Sequence, residues 1–441
     1  MVQCYADRIN GIILIGSAGS GSQPETRSLA GSGSRPETRS LAGSGSRPET
    51  RSLEGRESLP EAESLRGREA PTSDRSLKEG KSPTGGERAE SRCSEGSKRR
   101  FYFEKAAAEA GIRFSFYDWK DFPFAESFEA MANSVVKIDA PEWESSRLRE
   151  LDELTGRYRE QLLLLSQLPF GAFLNHPCDI AEVLDKRKCK KRLAEKGVAV
   201  TEMYDEVFSG REELLDFMRE KRAHQIFLKP VKGSGAAGVT ALRFSPVKGK
   251  IVLYTCAALD RGELVNTKRL YRLEDEDGAA FLDKLLELDC VAEKWYRKAT
   301  FQEYCYDLRV IVQDGRVDYI LPRLSKGPIT NLHLNNHSME FAALNLDSTV
   351  TESIMELCIR AAGCYPGLKS IGMDVLLEKE SRKPYVIEMN AQGDLLHRDA
   401  YHENRIYKRQ VEIMKAIRDK NCPAGDALTE TQPNFRQSQW R

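Results

Sequence analysis

The sequence predicts an α/β domain at the N-terminus followed by α+β lobes. Three observations carry that expectation: a strand, helix and strand near the start, a strand-rich block from Gln225 onward, and two helical segments behind that block. Gly11–Gly16 (GIILIG) is apolar without interruption and reads as a buried strand. Phe101–Gly111 reads as a helix with a glycine stop, and Phe114–Trp119 as a second strand. Together they make a βαβ unit. Val135–Ile138 reads as a short strand, Ser145–Leu165 as a long charged helix, and Asp185–Gly197 as a helix stopped by glycine. Ile226–Lys229, Val239–Phe244 and Ile251–Cys256 read as strands. Asp307–Gln313 and Arg316–Leu324 flank Asp314-Gly315, the dipeptide that most favours a tight hairpin. Helices are expected at Val350–Gly363 and Ile406–Asp419, followed by a polar tail, Cys422–Arg441.

A 12-residue repeat interrupts the first unit. It starts at Gly21 with GSQPETRSLAGS, GSRPETRSLAGS and GSRPETRSLEGR, and decays to Arg92. Residues 21–98 contain no Val, Ile, Met, Phe, Tyr or Trp, so repeats stacked on one another have almost no apolar stripe to bury. Such a segment does not offset its own ordering entropy and is expected to be disordered. It sits in a βα loop, where closure entropy rises only logarithmically with length. Gly16 and Gly21 have the spacing of a P-loop, but Ser22 stands where its lysine belongs and no helix begins there, so a flexible Gly/Ser loop is the reading.

Composition narrows the function. Of the 441 residues, Lys+Arg and Asp+Glu are both 67, which removes the simplest electrostatic argument for nucleic acid or an anionic membrane as partner. The longest apolar runs, Gly11–Gly16 and Leu162–Leu165, fall far short of a membrane span, and the N-terminus does not read as a signal peptide. The ten cysteines are scattered, with no C-x-x-C pair, which fits a reducing, cytoplasmic setting.

Two segments carry chemistry. Ile371–Glu378 and Pro384–Asn390 read as strands joined by the turn Lys379–Lys383. A hairpin symmetric about Ser381 sets Asp374 opposite Glu388, with Asn390 on the face of Glu388. Facing carboxylates repel and require a cation. Two carboxylates and an amide oxygen suit Mg²⁺ or Mn²⁺; a nearby Lys or Arg is the alternative. The second segment, Leu228–Val239 (LKPVKGSGAAGV), is a strand, a small-residue loop and a strand. Backbone N–H groups in such a loop approach an anion closely, and Lys229 or Lys232 adds charge. Trp295 either packs a base or caps the core. His333 and His337, four apart, read as a solvated loop, and Lys188–Lys191 as a solvated helix face. Asp307 and Arg309 alternate on a strand, where they could form an ion pair.

In this combination and order the segments resemble the ATP-grasp superfamily, nearest the branch of glutathione synthetase and the ribosomal-protein glutamate ligases. The resemblance covers about residues 173–417. It implies a pre-grasp α/β domain (1–184, interrupted by the 21–98 insert), an N-terminal grasp lobe (185–292), a C-terminal lobe (293–421) and a disordered tail (422–441), the lobes clasping ATP. Asn175-His176-Pro177 and Asp185-Lys186 match the family's entry segment, whose lysine contacts ATP. Lys229 matches the second ATP lysine, and Gly233, Ser234, Gly235 and Gly238 the loop that closes over phosphates. Glu293-Lys294-Trp295 is similar to the adenine hinge, with Gln302-Glu303-Tyr304 as rival. Asp307-Leu308-Arg309 and Asn331-Leu332-His333 resemble the motifs near the phosphate and acyl acceptor, which makes Arg309 and Asn331, with Arg323, the candidate catalytic residues; Asp374, Glu388 and Asn390 match the metal ligands. The resemblance therefore implies an ATP- and Mg²⁺-dependent (or Mn²⁺-dependent) ligase joining a small-molecule or peptide carboxylate to an amine. One departure is Ile329, where the branch carries an arginine that Arg309, Arg323 or Lys326 would have to replace; another is Asn335-Asn336 in place of a glycine pair. A nucleotide-binding module without transfer is the competing class. Nucleic-acid and membrane partners are not expected, and the oligomeric state is open.

Deleting residues 21–92 should leave both melting temperature and nucleotide affinity nearly unchanged, because the segment brings no core-forming side chains. A large drop in melting temperature on deletion would mean that the repeats pack on the fold.

Overall fold

The computed structural model describes residues 11–17, 95–124, 134–168, 172–233, 236–334, 336–392 and 403–421. The whole repeat segment 21–92 and the whole tail 422–441 lie outside these residues. A helix, α1 (Glu95–Glu109), starts six residues before the expected Phe101 and takes in the last residues assigned to the insert.

Strand β1 (Gly11–Gly16) pairs in parallel with β2 (Arg113–Asp118) and with β3 (Val135–Ile138), and β4 (Ala172–Phe173) joins β3 in parallel. The order is β2-β1-β3-β4. β1 is buried on both faces, which explains its continuous apolar run. Ile13 and Ile15 face Trp119, Tyr158 and Leu162, whereas Ile12 and Leu14 face Phe103, Tyr407, Val411 and Met414. Tyr158 and Leu162 belong to α2 (Leu148–Leu165), which begins three residues later than expected because Arg147 is extended. Tyr407, Val411 and Met414 belong to the last described helix, α8 (Arg405–Asn421). By its packing this helix covers the N-terminal sheet, although the expected boundaries put it in the C-terminal lobe.

After α2 come α3 (Pro177–Val183), α4 (Lys186–Glu195) and α5 (Arg211–Glu220). The five-stranded sheet contains β5 (Gln225–Pro230), β6 (Thr240–Ser245), β7 (Lys250–Asp260), β8 (Glu263–Glu274) and β9 (Cys290–Lys294). Its order is β8-β7-β6-β5-β9, and all of its pairs are antiparallel. Leu214, Phe217 and Met218 of α5, with Phe281, Leu282 and Leu285 of α6 (Asp275–Leu285), bury one face against Ile226, Leu228, Leu242 and Leu253. β8 was not anticipated: it is mostly exposed, and its polar run gives no apolar alternation.

The third sheet contains β10 (Thr300–Phe301), β11 (Tyr304–Gln313), β12 (Arg316–Ser325), β13 (His337–Ser338), β14 (Ser370–Leu377) and β15 (Pro384–Asn390). The order is β13-β12-β11-β14-β15, with β10 on β11. Asp314 and Gly315 both have positive φ (46° and 76°), as the tight turn requires. Helix α7 (Ser348–Gly363) packs Ile354, Leu357 and Ala361 into the same core.

Two backbone clamps hold these sheets in register. Buried Asn175 accepts from Lys369 N at 2.8 Å and Ser370 N at 2.9 Å and donates to Ser370 O at 2.7 Å and to Ala391 O. The extended segment 198–204 bridges the other two sheets: Thr201 N donates to Val386 O at 3.0 Å and Tyr204 N to Ala292 O at 2.9 Å. Among the described residues no helix is long and apolar enough to cross a membrane.

Met414 is fully buried in the layer between α8 and the N-terminal sheet. Met414→Ala should lower the unfolding free energy by about 2–5 kcal/mol, whereas Lys415→Ala on the exposed face should change it by less than about 0.5 kcal/mol. Denaturant titration of the two variants checks the docking of α8.

Candidate active site

A cavity of about 570 Å³ opens between the five-stranded sheet and the third sheet, with helix and loop residues of the N-terminal domain on its wall. At one end a buried carboxylate organises the cations. Glu293, on β9, receives Lys229 Nζ of β5 at 2.8 Å, Lys190 Nζ of α4 at 2.6 Å and the Thr201 hydroxyl at 2.9 Å. Burial works to raise the Glu293 carboxyl, but the two ammonium groups outweigh it and hold it down at about 2. Burial pulls Lys190 down to about 8. Lys190 also donates to Thr201 at 2.7 Å, so the expectation that residues 188–191 form a solvated face fails at this position.

Lys186, at the first turn of α4, lines the cavity and donates to Gly233 O at 2.6 Å. Gly233 and Ala236 line it too; both have positive φ, 121° and 65°. Ser234 and Gly235 lie outside the described residues. Gly238 serves packing: its φ is +70°, and a Cβ there would stand 2.8 Å from Leu148 Cδ1 and 2.9 Å from Pro230 Cγ. Of the two lysines considered for this loop, Lys229 faces the cavity, while Lys232 pairs with Asp152 of α2 at 3.1 Å.

Glu293, Lys294 and Tyr296 line the wall where an adenine hinge was expected. Trp295 does not: its ring stacks outside Phe227 at 5.1 Å, with Arg243 over it at 4.9 Å, and Phe227 is the ring that reaches the cavity. The rival segment Gln302-Glu303-Tyr304 is the β10–β11 turn, off the cavity, where Glu303 pairs with exposed Lys326 at 3.8 Å.

The other end is a charged row across the third sheet. Arg309 of β11 pairs in register with Asp374 of β14, and Asp374 with Glu388 of β15. The expected facing of the two acids is thus present, with a bulge beside it between Asp374 and Val375. Asp374 is compensated by arginines: Arg309 Nε lies 3.1 Å from Oδ1 and Arg323 Nη2 3.0 Å from Oδ2. Asp307 does not pair with Arg309; Arg323 grips it bidentately at 2.7 and 2.9 Å. Burial tends to raise the Asp307 carboxyl, but Arg323 and Lys298 hold it at about 2. Lys326, considered as a replacement for the missing arginine, is exposed at the rim of the fold.

Asp374, Glu388 and Asn390 all line the cavity. Asp374 Oδ1 is buried and has no hydrogen-bond donor, so it retains acceptor capacity for a cation. The set fits a hard ion in chemistry, but only two of the three are acids, and among the described residues no group of three or more His, Cys, Asp or Glu gathers as a metal site. Such an ion needs further oxygens, which a polyphosphate supplies. His337 is exposed and lies edge-on to Tyr304. The side chain of His333 lies outside the described residues.

Sequence reasoning missed several lining residues. Lys298 donates to Thr330 at 2.7 Å, and the lining segment 329–331 is held from behind by Asn336, whose Nδ2 donates to Ile329 O (3.0 Å) and Asn331 O (2.9 Å). Arg99, Glu142, Trp143 and Tyr158 bring the N-terminal domain to the cavity, and Gln392, just after β15, donates to Tyr158 there at 2.6 Å. These come from separate elements, and no local motif joins them.

No family profile and no curated protein matches the sequence. Solved structures similar in fold include the D-cycloserine synthetase DcsG, with a TM-score of 0.48 and 13% identity over 72% of this chain and 94% of that one. The macrocyclase MdnC, bound with precursor peptide MdnA from Microcystis aeruginosa MRC, has a TM-score of 0.47 and 14% identity over 74% of this chain and 96% of that one. The ATP-grasp ligase PsnB complexed with minimal precursor has a TM-score of 0.46 and 16% identity over 74% of this chain and 97% of that one.

Glu293 and Asp307 are both held at about 2, below the ordinary 4.5 and 3.8, so below about pH 4.5 the unfolded chain binds more protons than the folded one. Their contribution, on the order of 2–3 kcal/mol each, is full above that window and is lost as pH falls toward 2. Thermal melts from pH 6 to pH 2 should therefore drop steeply below about 4.5. A profile flat to pH 3 would contradict the ion-pair geometry.

Proposed function

We propose that this protein is an ATP- and Mg²⁺-dependent ligase that joins a carboxylate to an amine through an acyl phosphate. The observation that carries the reading is the order of groups along one cavity. Lys186 and Lys229 stand beside a small-residue loop, Asp374, Glu388 and Asn390 come together on one sheet, and Arg309 and Arg323 lie beyond them.

In this reading the lysines and the loop backbone gather the phosphates of ATP, and Asp374, Glu388 and Asn390 hold Mg²⁺, which offsets phosphate charge. The donor carboxylate oxygen attacks the γ-phosphorus, and ADP leaves with the electrons of the broken P–O bond. The amine lone pair then attacks the acyl carbon, phosphate departs with the C–O electrons, and the amine's surplus proton goes to solvent. Buried cations aimed at the developing charge are the protein's main contribution, together with alignment of the reactants. Fully buried Arg323 stays protonated throughout, since Asp307 and Asp374 raise its pKa against the opposing effect of burial. The setting is cytoplasmic in this proposal, and the substrates are small molecules or peptides.

A nucleotide-binding module without transfer is the second reading, favoured by buried, apolar Ile329 on the cavity wall. ADP release measured against amino acids and peptides, with products weighed by mass spectrometry, separates the two. Release that depends on an added carboxylate supports the ligase; tight ATP binding with no release under any substrate supports the module.

Glu388→Gln keeps size and hydrogen bonding while removing one of two facing charges. The apo variant should be as stable as the parent or slightly more so, and relief of repulsion is limited because arginines already compensate Asp374. Mg-ATP at 100 times its Kd should stabilise the parent by about 2.7 kcal/mol, and the variant should lose most of that gain. Paired thermal melts decide it: a strongly destabilised apo variant that retains the Mg-ATP shift would make Glu388 a structural residue.

A further inference from the structure

Lys298 enters the cavity from the segment between β9 and β10, and its backbone is held on both sides. It bridges Glu378 in antiparallel fashion, and Ala299 N donates to Leu377 O at 2.8 Å. Its Nζ donates to the Thr330 hydroxyl at 2.7 Å and stands 3.5 Å from Asp307 Oδ2, with the side chain only 10% exposed. Asp307 has nearer partners than Lys298. That carboxylate already takes two bonds from Arg323 and one from the Thr330 hydroxyl, leaving Lys298 the longest of its contacts. An ammonium has three N–H donors, and Thr330 engages one of them well.

Arg309 shows the same surplus. Its Nε approaches Asp374, but its Nη1 is buried on the cavity side of the sheet with no hydrogen-bond acceptor. Buried donors are nearly always satisfied, so an unsatisfied one on a cavity wall marks a place for an acceptor. Lys298, Arg309 and Arg323 form ion pairs with two carboxylates, Asp307 and Asp374, while Glu388, the next acid across the sheet, is paired with none of the three. The cavity wall is apolar at Ile329, which brings no charge to a ligand, and Arg323 is already engaged by both Asp307 and Asp374, so the cations with donors to spare are Lys298 and Arg309.

We propose that Lys298 and Arg309 form an oxyanion subsite, separate from the lysines around Glu293, and that Lys298 supplies the cation that the apolar Ile329 wall lacks. The inference rests on the ligase reading above. The anion has the chemistry shared by a carboxylate and a tetrahedral phosphate: compact, with two or more oxygens able to accept from both cations at once. In the ligase this is the donor carboxylate, the phosphoryl group it receives, or both.

The test uses the full chain saturated with Mg-ADP and titrated with inorganic phosphate, read by calorimetry and thermal shift. The parent should bind phosphate saturably. Lys298→Met should weaken phosphate binding roughly tenfold or more while Mg-ADP affinity stays within about twofold, and Lys298→Arg should retain most of the binding. Arg309→Lys keeps a charge facing Asp374 but removes Nη1; it provides a second arm should Lys298→Met fail to fold, and is expected to weaken phosphate roughly tenfold as well. Acetate that displaces phosphate assigns the seat to the donor carboxylate too; phosphate binding indifferent to acetate assigns it to the phosphoryl group alone. Equal phosphate affinity in parent and variants overturns the subsite, as does an equal loss of Mg-ADP affinity, which would make Lys298 part of the nucleotide site or the fold. A parent that binds Mg-ADP but no phosphate overturns the subsite and leaves the nucleotide reading standing. A parent that binds no Mg-ADP overturns both.

Discussion

The lysine-rich end of the cavity depends on one carboxylate. Glu293 is nearly inaccessible to water and holds two ammonium groups and a hydroxyl, each at hydrogen-bond distance. An isolated ion at that depth is very unfavourable; two cations shared through one anion are tolerated because each oxygen has its own lysine. The arrangement also fixes elements far apart in sequence. Lys190 comes from α4, Lys229 from β5 and Thr201 from the connector to β15, so the carboxylate joins a helix to the five-stranded sheet. Removing Glu293 would leave two buried cations without a partner, a more severe change than losing a single bond.

The sheets around the cavity are tied by one buried amide side chain and by backbone bonds. Asn175 uses both ends of its amide on the segment around Ser370 and Ala391, and Thr201 and Tyr204 lend their N–H groups to β15 and β9. His176 caps α3, its Nδ1 accepting from Cys178 N at 3.3 Å, with Pro177 at the first helical position. The Asn-His-Pro segment therefore acts as a joint between sheets, and the first lysine on the cavity wall follows it within a dozen residues.

Much of this was legible where chemistry is local. Symmetry about Ser381 predicts the Asp374–Glu388 pairing; beside the turn the strands pair one residue out of that register (Leu377 with Pro384, Val375 with Val386), and the extra residue Ile387 at the bulge restores the expected partner. The buried first strand was plain from six apolar residues. What escaped was non-local. Lys190 looked solvated inside a run of basic residues, yet Lys186, Cys189, Lys190 and Leu193 share one helical stripe, and the two apolar members mark that stripe as the packed face. Trp295 was legible as an aromatic near the expected hinge, but which ring meets the cavity depends on β5, where Phe227 lies directly opposite Glu293. Lys298 and the residues from the N-terminal domain belong to no motif; only the packing of separate elements assembles them.

Charge distribution along the cavity favours an extended, multiply anionic ligand over a small neutral one. Around Glu293 stand Lys186, Lys190 and Lys229, three positive charges on one negative. At the far end three more face Asp307 and Asp374. Glu388 lies between the two groups, bringing a negative charge into a region otherwise short of it. A polyphosphate laid against the lysines would meet that carboxylate unfavourably unless a divalent cation were shared by phosphate, Glu388 and the unsatisfied Asp374 oxygen. The two acids alone make a poor metal site and the phosphates alone a poor match to the acids. Cation and nucleotide are therefore expected to bind as one unit, each completing the site that the other lacks.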